Sequence, residues 1–268
     1  MSNGLKLLDQ LVAEGRESVT PAWVMEQTGA SRQAAVNMLR RLREAGLLDH
    51  VGHGHYAIRS LGAMGTTAAA EDLALAIGSR FEGRPHRIAF RSALEHWGVL
   101  SHPWRRIQVA TPMKVRQRVI SGRPLQIVHE PLRTVHLGAV SLREGARVSG
   151  YERALLDCAS RPGLAGGTDV LAEALVSGES LDTERLLSLV RELGLRAAAR
   201  RIGSIADALG NERVSDALWA GAGQIKQDIE LDPTLKGAGL PKDAGLRDRK
   251  WRVRWRVSPS ELVSGATQ

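Results

Sequence analysis

The most constraining feature of the sequence is a basic amphipathic segment, Ser31–Arg43, followed by Gly46 and two short strand-like runs. Its first residue is a good helix N-cap. The apolar residues at helical spacing along one face are Val36, Leu39 and Leu42. Gly46 suits the left-handed residue that ends many helices, and Gly52-His53-Gly54 is typical of a hairpin tip. Helix, glycine stop and hairpin predict the recognition helix and wing of a winged helix-turn-helix.

Two further helices are predicted upstream of this segment. Residues 3–14 carry leucine and valine at helical spacing, and Thr20-Pro21 combines an N-cap with proline at the first helical position. The short helix that starts there is expected to run to about Gln27 with Trp23 and Val24 inward. Three helices and a hairpin complete a DNA-binding domain that we predict over residues 1–62.

The polar face of Ser31–Arg43 carries the residue types that read DNA. A major groove admits an α-helix, and arginine, glutamine and asparagine near its N-terminal end read base edges. The segment holds four arginines and no acid, and charge segregated in this way is typical of a DNA reader. The residues predicted to contact DNA are Ser31, Arg32, Gln33, Asn37, Arg40, Arg41, Arg43, His53 and His55, of which Arg40, Arg41 and Arg43 are better placed for phosphates. One alternative is an ordinary solvated basic face. A second alternative is a metal site at the histidines, although no acid or cysteine accompanies them at the spacing of a known metal site.

Length and composition place this domain in a larger soluble chain. The 268 residues are enough for two domains, and we place the boundary in the small, polar stretch that ends at residue 70. The single cysteine, Cys158, excludes an internal disulfide and suits a reducing cytoplasm. No apolar run approaches a membrane span and no secretory signal is visible, so we expect a cytoplasmic protein.

The second domain, residues 71–268, is predicted to mix strands and helices and to end in a helical array, which makes the whole chain α+β. Strands are expected at Ile107–Ala110, Leu125–His129, more weakly at Thr134–Leu137, and at Trp251–Val257, whose strict alternation places its arginines outward. Helices are expected at 71–81, 92–97, 151–160, 168–176, 182–193, 196–209 and 212–220. The Pro- and Gly-rich residues 232–246 are expected to form an irregular loop.

Positive charge is concentrated between residues 80 and 133, a stretch that contains eleven cations and only three acids. A basic balance favours polyanionic partners. The candidates for contact with a nucleic acid backbone or a protein partner are Arg105, Arg106, Lys114, Arg116 and Arg118. The alternative is a solvated surface, which is the usual state of a charge run.

Catalytic alternatives find little support in the sequence. Asp232, Asp243 and Asp248-Arg-Lys250 resemble pieces of a Mg²⁺-dependent nuclease site, but a loop rich in Pro and Gly gives metal chemistry no rigid base. Cys158 lies mid-helix among leucines and alanine and is predicted to be a small core residue. No phosphate loop, dinucleotide fingerprint or nucleophile elbow is present. We therefore expect no catalytic residue, no bound metal, no cofactor and no enzymatic activity.

Three segments of the second domain resemble the AbiEi family of antitoxins and transcriptional regulators from type IV toxin–antitoxin systems. They are Arg91-Ser-Ala-Leu-Glu-His-Trp-Gly98, Ile107-Gln-Val-Ala-Thr-Pro112 and the block from Val148 to Gly167, in which the stretch from Glu152-Arg-Ala-Leu-Leu-Asp157 to Arg161-Pro-Gly-Leu-Ala-Gly-Gly167 is the most specific part. With the N-terminal domain and the terminal Trp–Arg alternation, the resemblance covers nearly the whole chain.

The resemblance implies a bacterial regulator whose N-terminal domain binds double-stranded DNA repeats in its own promoter. It also implies that the C-terminal domain antagonises a nucleotidyltransferase-type toxin, generally without a stable complex. Two other interpretations remain open at this stage. One is a ligand-responsive winged-helix regulator without a toxin partner, and the other is a DNA-processing nuclease.

Overall fold

A computed structural model gives the fold of the chain. It describes residues 6–7, 10–11, 13–14, 16, 18–52, 55–58, 73–101, 104–116, 119–120, 123–142, 145–178, 181–222, 225–235, 247–258, 262 and 266. These residues form two compact units. The first comprises the ranges 1–86, 114–126 and 141–147, and the second comprises 87–113, 127–140 and 148–268. The predicted domain boundary after residue 62 lies outside the described residues.

The first unit combines short helices with a small antiparallel sheet. Its elements are β1 (Ser18–Val19), α1 (Pro21–Thr28), α2 (Arg32–Glu44), β2 (Leu48–Gly52), β3 (His55–Ile58) and α3 (Leu73–Arg80). The sheet has the order β1-β3-β2, with a register shift between His50 and Gly52. The strand β1 was not predicted from the sequence, because a two-residue strand carries no measurable periodicity.

The helices α1 and α2 bury one face each in the core of the first unit. Helix α2 buries Ala35, Leu39 and Leu42, while Val36, which was predicted to face inward, is only half buried. The observed set follows the i, i+4, i+7 spacing, so the buried face is rotated by one residue from the predicted one. The remaining buried residues of this core are Leu7, Leu11, Val19, Trp23, Val24, Leu48 and Tyr56.

The second unit begins with a mixed sheet and continues as helices. Its elements are β4 (Arg87–Ile88), α4 (Phe90–His96), β5 (Ile107–Thr111), β7 (Arg123–His129), α5 (Leu132–Val135), β8 (Ala139–Ser141), β9 (Arg147–Ser149), α6 (Tyr151–Ser160), α7 (Pro162–Ala165), α8 (Asp169–Ser177), α9 (Thr183–Leu193), α10 (Arg196–Ala208), α11 (Glu212–Ala222), β10 (Ile229–Glu230), β11 (Arg247–Asp248) and β12 (Val253–Arg254). The strand β6 (Val119–Ile120) pairs with the start of β7 within the first unit.

The strands of the second unit lie in the order β7-β5-β4-β9-β8. The central strand β4 runs antiparallel to β5 and parallel to β9, with Ile88 opposite both Val109 and Val148. Every residue of β5 is buried. This arrangement confirms the mixed α+β class predicted from the sequence.

Two of the predicted strands are wrong. Thr134–Leu137 was predicted as a strand, but residues 132–135 form α5, because Pro131 precedes them and its carbonyl accepts from the Thr134 and Val135 amides. The predicted strand 251–257 is reduced to β12, since Arg252 has a positive φ of 52° and breaks the extended backbone. The predicted alternation of burial holds for the buried Trp251 and Trp255.

The predicted helical array is confirmed in α6 and α8 to α11. Asp182 caps α9, as expected, by accepting from the Glu184 and Arg185 amides at 3.0 Å. No helix in the described part of the chain is long and apolar enough to cross a bilayer. Residues 233–235 of the predicted irregular loop form a 3₁₀ turn, and residues 236–246 lie outside the described ones.

Candidate functional site

A three-residue turn connects α1 to α2 in the first unit. Gly29 has a φ of 66°, a left-handed conformation that favours glycine. Ser31 then begins α2, and its hydroxyl accepts a hydrogen bond from the Ala34 amide at 3.3 Å. Gly46, with a φ of 70°, follows the helix in the conformation expected from the sequence. Short turns with glycine are typical of two helices that meet in a helix-turn-helix.

The outer face of α2 is polar and carries surplus positive charge. Arg32 and Gln33 at its first turn are exposed, and the Gln33 amide donates to the Asn37 side chain at 3.4 Å. The arginines farther along the helix, Arg40, Arg41 and Arg43, are exposed as well. The acid at the end of the helix, Glu44, lies 3.8 Å from Arg40, with both side chains more than 60% exposed. An exposed pair of this kind contributes little stability, so the arginines remain available to an external anion.

The other residues of the predicted interface are placed differently. His53 and Arg118 lie outside the described residues, and His55 is described only as part of strand β3. Arg105 and Arg106 are exposed in the second unit, whereas Lys114 and Arg116 are exposed in the first. The cationic run is therefore divided between two units rather than forming one continuous element.

The N-cap of α2 gives a direct test of how the helix is held. Replacing Ser31 with alanine removes the hydroxyl that accepts from Ala34, and we expect a loss of about 1 kcal/mol in the free energy of unfolding. Urea unfolding followed by circular dichroism measures this loss. Ser31→Asp is the matched control, since aspartate also caps helices. Equal stability of the alanine and parent proteins would show that the cap is dispensable.

The second unit contains a buried network of two arginines and two carboxylates. Arg87 on β4 contacts Asp157 and Glu130, each at 2.5 Å, and Ser149. Arg153 reaches the same two carboxylates, at 2.8 Å and 2.5 Å. We call these four charged residues the Arg–carboxylate network. Each guanidinium contacts both acids, so the network is neutral as a whole.

The exposure of these side chains explains why they must act together. The side chain of Arg87 is 0% exposed, and those of Arg153 and Asp157 are 4% and 5% exposed. Burial by itself raises the pKa of Asp157, but the charges and hydrogen bonds of the two arginines lower it below its usual value. The pKa of Arg153 is raised, because its two carboxylate partners outweigh its own burial. Asp157 and Arg153 therefore both favour their charged forms inside the protein.

Sequence reasoning found one half of this network and missed the other. Arg153 and Asp157 belong to the motif Glu152-Arg-Ala-Leu-Leu-Asp157, which was singled out without a role. Arg87 was counted in the basic run that was interpreted as a contact or solvated surface, and Glu130 was counted only as a minor opposing charge. Their partnership depends on β4 and β7 meeting in one sheet, which no local pattern reveals.

The residues of the nuclease alternative have protein partners. Asp248 accepts from the Ser204 hydroxyl at 2.6 Å and from the Trp251 amide at 3.0 Å. Lys250 lies 3.1 Å from Asp207. Asp232 is buried against Thr234, and Asp243 lies outside the described residues. In the part of the chain that the structure describes, no cluster of three His, Cys, Asp or Glu side chains is arranged for a metal ion.

Cys158 is a core residue, as predicted. It is 0% exposed in α6, and burial raises the pKa of its thiol well above the ordinary value, with Asp157 adding to the effect. We expect the native protein to react with Ellman's reagent only as fast as it unfolds, because the thiolate is the reactive form. Rapid labelling of the folded protein would contradict this placement.

One sizeable pocket lies in the second unit, at the turn after α7. Its volume is about 560 Å³, and its walls include Gly163, Gly166, Thr168, Asp232 and Leu262. The carboxylate of Asp232 accepts hydrogen bonds from the Thr234 amide and hydroxyl at 2.9 Å and 2.6 Å. The glycine-rich stretch here contains the short helix α7, which is followed by Gly166 and Gly167, both with positive φ.

Comparison with known proteins agrees with this architecture. Residues 87–207 match the AbiEi antitoxin C-terminal domain family, which confirms the resemblance predicted from the sequence. The matched range contains the whole Arg–carboxylate network. This part of the chain is therefore similar to antitoxin C-terminal domains.

The fold of the whole chain has a counterpart among solved structures. It is similar to the crystal structure of the RV2827C protein from Mycobacterium tuberculosis, with a TM-score of 0.66 and 19% sequence identity. The alignment covers 97% of this chain and 92% of that chain. No curated protein matches the chain.

Proposed function

We propose that this chain is the antitoxin of a type IV toxin–antitoxin pair and also a DNA-binding repressor of its own promoter. In this proposal residues 1–62 form a winged helix-turn-helix and residues 71–268 form the antitoxin domain. The observation that carries the antitoxin role is the family match over residues 87–207. The observation that supports DNA binding is the exposed outer face of α2, which has few acids and follows a short turn that contains glycine.

The proposed DNA contact places the start of α2 in a major groove. Arg32, Gln33 and Asn37 would read base edges, since arginine, glutamine and asparagine pair with guanine and adenine there. Ser31 would remain the N-cap, while Arg40, Arg41 and Arg43 hold phosphates and fix the register of the helix. His53 and His55 of the wing would add contacts to the neighbouring backbone. Arg105, Arg106, Lys114, Arg116 and Arg118 are candidates for further backbone or partner contacts.

The base-reading part of the proposal is tested by operator binding. We expect Arg32→Ala and Asn37→Ala each to weaken binding to the chain's own promoter by roughly 1–3 kcal/mol and to relax the preference over unrelated DNA. A gel shift with specific and scrambled duplexes measures both effects. Arg191→Ala, which removes an exposed arginine from α9, is the control. Equal affinity and specificity of the Arg32 and Asn37 variants would refute the assignment of α2.

The phosphate-holding part has a separate signature in its salt dependence. Each neutralised phosphate contributes about 0.9 to the slope of log affinity against log salt concentration. We expect Arg40→Gln and Arg43→Gln each to lower that slope by about 0.9 and to leave sequence preference unchanged. An unchanged slope would place these arginines away from the DNA backbone.

The proposed target of the antitoxin domain is a nucleotidyltransferase-type toxin, as the AbiEi resemblance implies. Coexpression of the full chain with a nucleotidyltransferase encoded in the same operon tests it through relief of growth arrest. We expect relief to persist in the Arg32→Ala, Asn37→Ala double variant, because α2 lies outside the matched range 87–207. Failure of the parent chain to relieve the toxin would refute the toxin class while leaving the DNA-binding result intact.

A further inference from the structure

The hairpin formed by β11 and β12 carries a cluster of arginines around one acid. Arg247, Arg252 and Arg254 all contact the Asp228 carboxylate, at 2.9, 2.8 and 3.3 Å. The Asp228 side chain is 13% exposed, whereas those of Arg247 and Arg254 are 51% and 57% exposed. Among the described residues, three guanidinium groups thus share one carboxylate, and the cations are more exposed than the acid.

The pairing of the strands places two of these arginines on a single face. Arg247 lies opposite Arg254 in the antiparallel register. The residues beside Arg252 and Arg254 point inward, since Trp251, Val253 and Trp255 are buried. Two arginines directly opposite each other repel, and such pairs are unfavourable without an anion between them. Asp228 supplies one such anion inside the protein.

Asp228 stays ionised throughout the physiological range. Hydrogen bonds from Arg252 and Arg247, and the charge of Arg247, lower its pKa to about 2. The Asp228 carboxylate therefore already carries its full negative charge at neutral pH. The remaining positive charge lies on the exposed side chains of Arg247 and Arg254, where an anion from outside the chain can reach it.

An exposed tryptophan lies beside this hairpin. Trp219 on α11 is 44% exposed and meets the buried Trp251 edge to face, with ring centroids 5.2 Å apart. The Lys250 ammonium at the hairpin turn lies 5.7 Å from the Trp219 ring centroid and 3.1 Å from Asp207. Packing against Trp251 holds the Trp219 indole in place while part of it remains open to solvent.

We propose that Trp219 and the arginines Arg247, Arg252 and Arg254 form a binding surface for single-stranded nucleic acid. The arginines bind consecutive phosphates, and the Trp219 indole stacks on an unpaired base. Positively charged grooves combined with aromatic platforms are the usual means of holding single strands without sequence preference. An acidic protein would satisfy the arginines but would leave the indole without a matching group. The surface is distinct from the duplex-reading face proposed for α2.

The test uses the full chain with Arg32→Ala and Asn37→Ala, so that operator reading does not contribute. Fluorescence anisotropy measures its binding to a labelled 12-nucleotide oligothymidine, to the oligouridine of the same length and to a duplex. We expect Arg247→Gln with Arg254→Gln to weaken single-strand binding about tenfold and to lower the salt slope by about 1.4, at about 0.7 per phosphate. Tighter binding of one oligomer would identify DNA or RNA as the preferred strand.

The tryptophan is tested separately from the charges. Trp219→Ala is expected to weaken single-strand binding about tenfold with no change in the salt slope, because stacking releases no counterions. Trp219→Tyr, which keeps an aromatic face, should restore most of the affinity. Arg191→Gln with Arg196→Gln removes two exposed arginines from other helices and is the charge-matched control. The melting temperatures of all variants should agree within about 2 °C, since the changed side chains lie at the surface.

Three results would overturn the proposal. Single-strand binding that is unchanged in both the arginine and the Trp219 variants would show that this surface is not used. A duplex bound as tightly as the single strand, with no effect of Trp219→Ala, would indicate a backbone site for double-stranded DNA. Absence of nucleic acid binding in the starting variant, together with capture of an acidic peptide such as oligoglutamate by the arginines, would assign the surface to a protein partner.

Discussion

Replacing Asp157 with alanine is expected to destabilise the second unit by about 3–5 kcal/mol, because the change removes one of the two carboxylates that two buried guanidinium groups share and leaves a net positive charge in the interior. Arg87 and Arg153 contact the two oxygens of Asp157 at 2.5 Å and 2.8 Å. Their side chains are 0% and 4% exposed, so water cannot replace the lost partner. Urea unfolding measured by circular dichroism gives the free energy directly. The expected loss is a large share of the stability of an ordinary domain.

The control for this change is an exposed aspartate on another helix. Asp216→Ala removes an exposed carboxylate from α11, and its expected effect is within about 0.5 kcal/mol. Asp157→Asn keeps the size of the side chain and separates the loss of charge from the loss of volume. If Asp157→Ala were as stable as Asp216→Ala, the Arg–carboxylate network would not hold the fold together.

The same network predicts how stability depends on pH. The folded pKa of Asp157 lies below that of an unfolded aspartate, which is about 4, because Arg87 and Arg153 outweigh its burial. Its contribution is therefore complete above pH 4 and is lost as the pH falls through the lower folded value. As the pH falls below 5, we expect the free energy of unfolding to decrease more for the parent protein than for Asp157→Asn. Parallel pH profiles would contradict this linkage.

Replacing Trp251 with alanine is the second change with a large expected effect, a loss of about 3–5 kcal/mol. The indole is 0% exposed, and its N–H donates to Asp207 at 2.6 Å. It fills the space over Gly203 on α10, where an added Cβ would lie only 2.3 Å from the ring. The alanine variant would therefore leave a cavity between α10 and the terminal hairpin and would remove one hydrogen bond to Asp207. Urea unfolding again supplies the measurement.

The tight contact with Gly203 allows a paired experiment. Gly203→Ala alone is expected to cost about 1–3 kcal/mol by overpacking, since its new methyl group meets three atoms of the six-membered indole ring. In a Trp251→Phe background part of that ring is gone, so Gly203→Ala should cost much less. The two effects should thus be non-additive by at least about 0.5 kcal/mol. Strict additivity would show that the two residues do not share this space.

Local patterns predicted much of the fold because each helix carries its own signals. The Thr20-Pro21 start of α1, the Ser31 start of α2 and the Asp182 start of α9 are all found where the sequence placed them. The strand predicted at 134–137 is wrong because Pro131, immediately before Leu132, begins a helical turn that includes Thr134 and Val135. The strand predicted from Trp251 onward is shorter than expected, because Arg252 has a positive φ and the alternating sequence pattern does not indicate such a residue.

The sites were less accessible from sequence than the elements. The outer face of α2 was predictable, because exposure along a helix follows from its 3.6-residue period. The Arg–carboxylate network was not, because Arg87 on β4, Glu130 after β7 and Asp157 on α6 are far apart in the sequence and meet only in the folded chain. A fully buried arginine also contradicts the usual expectation that such side chains are exposed. Composition alone therefore assigned Arg87 to the surface.

Reporter activity from the chain's own promoter tests the central proposal most directly. We expect the full chain to repress the reporter, the Arg32→Ala, Asn37→Ala variant to lose repression, and the Arg247→Gln, Arg254→Gln variant to repress as the parent does. Immunoblotting should show equal amounts of all three proteins. Full repression by the Arg32→Ala, Asn37→Ala variant at equal protein level would contradict the assignment of α2 as the helix that reads the promoter.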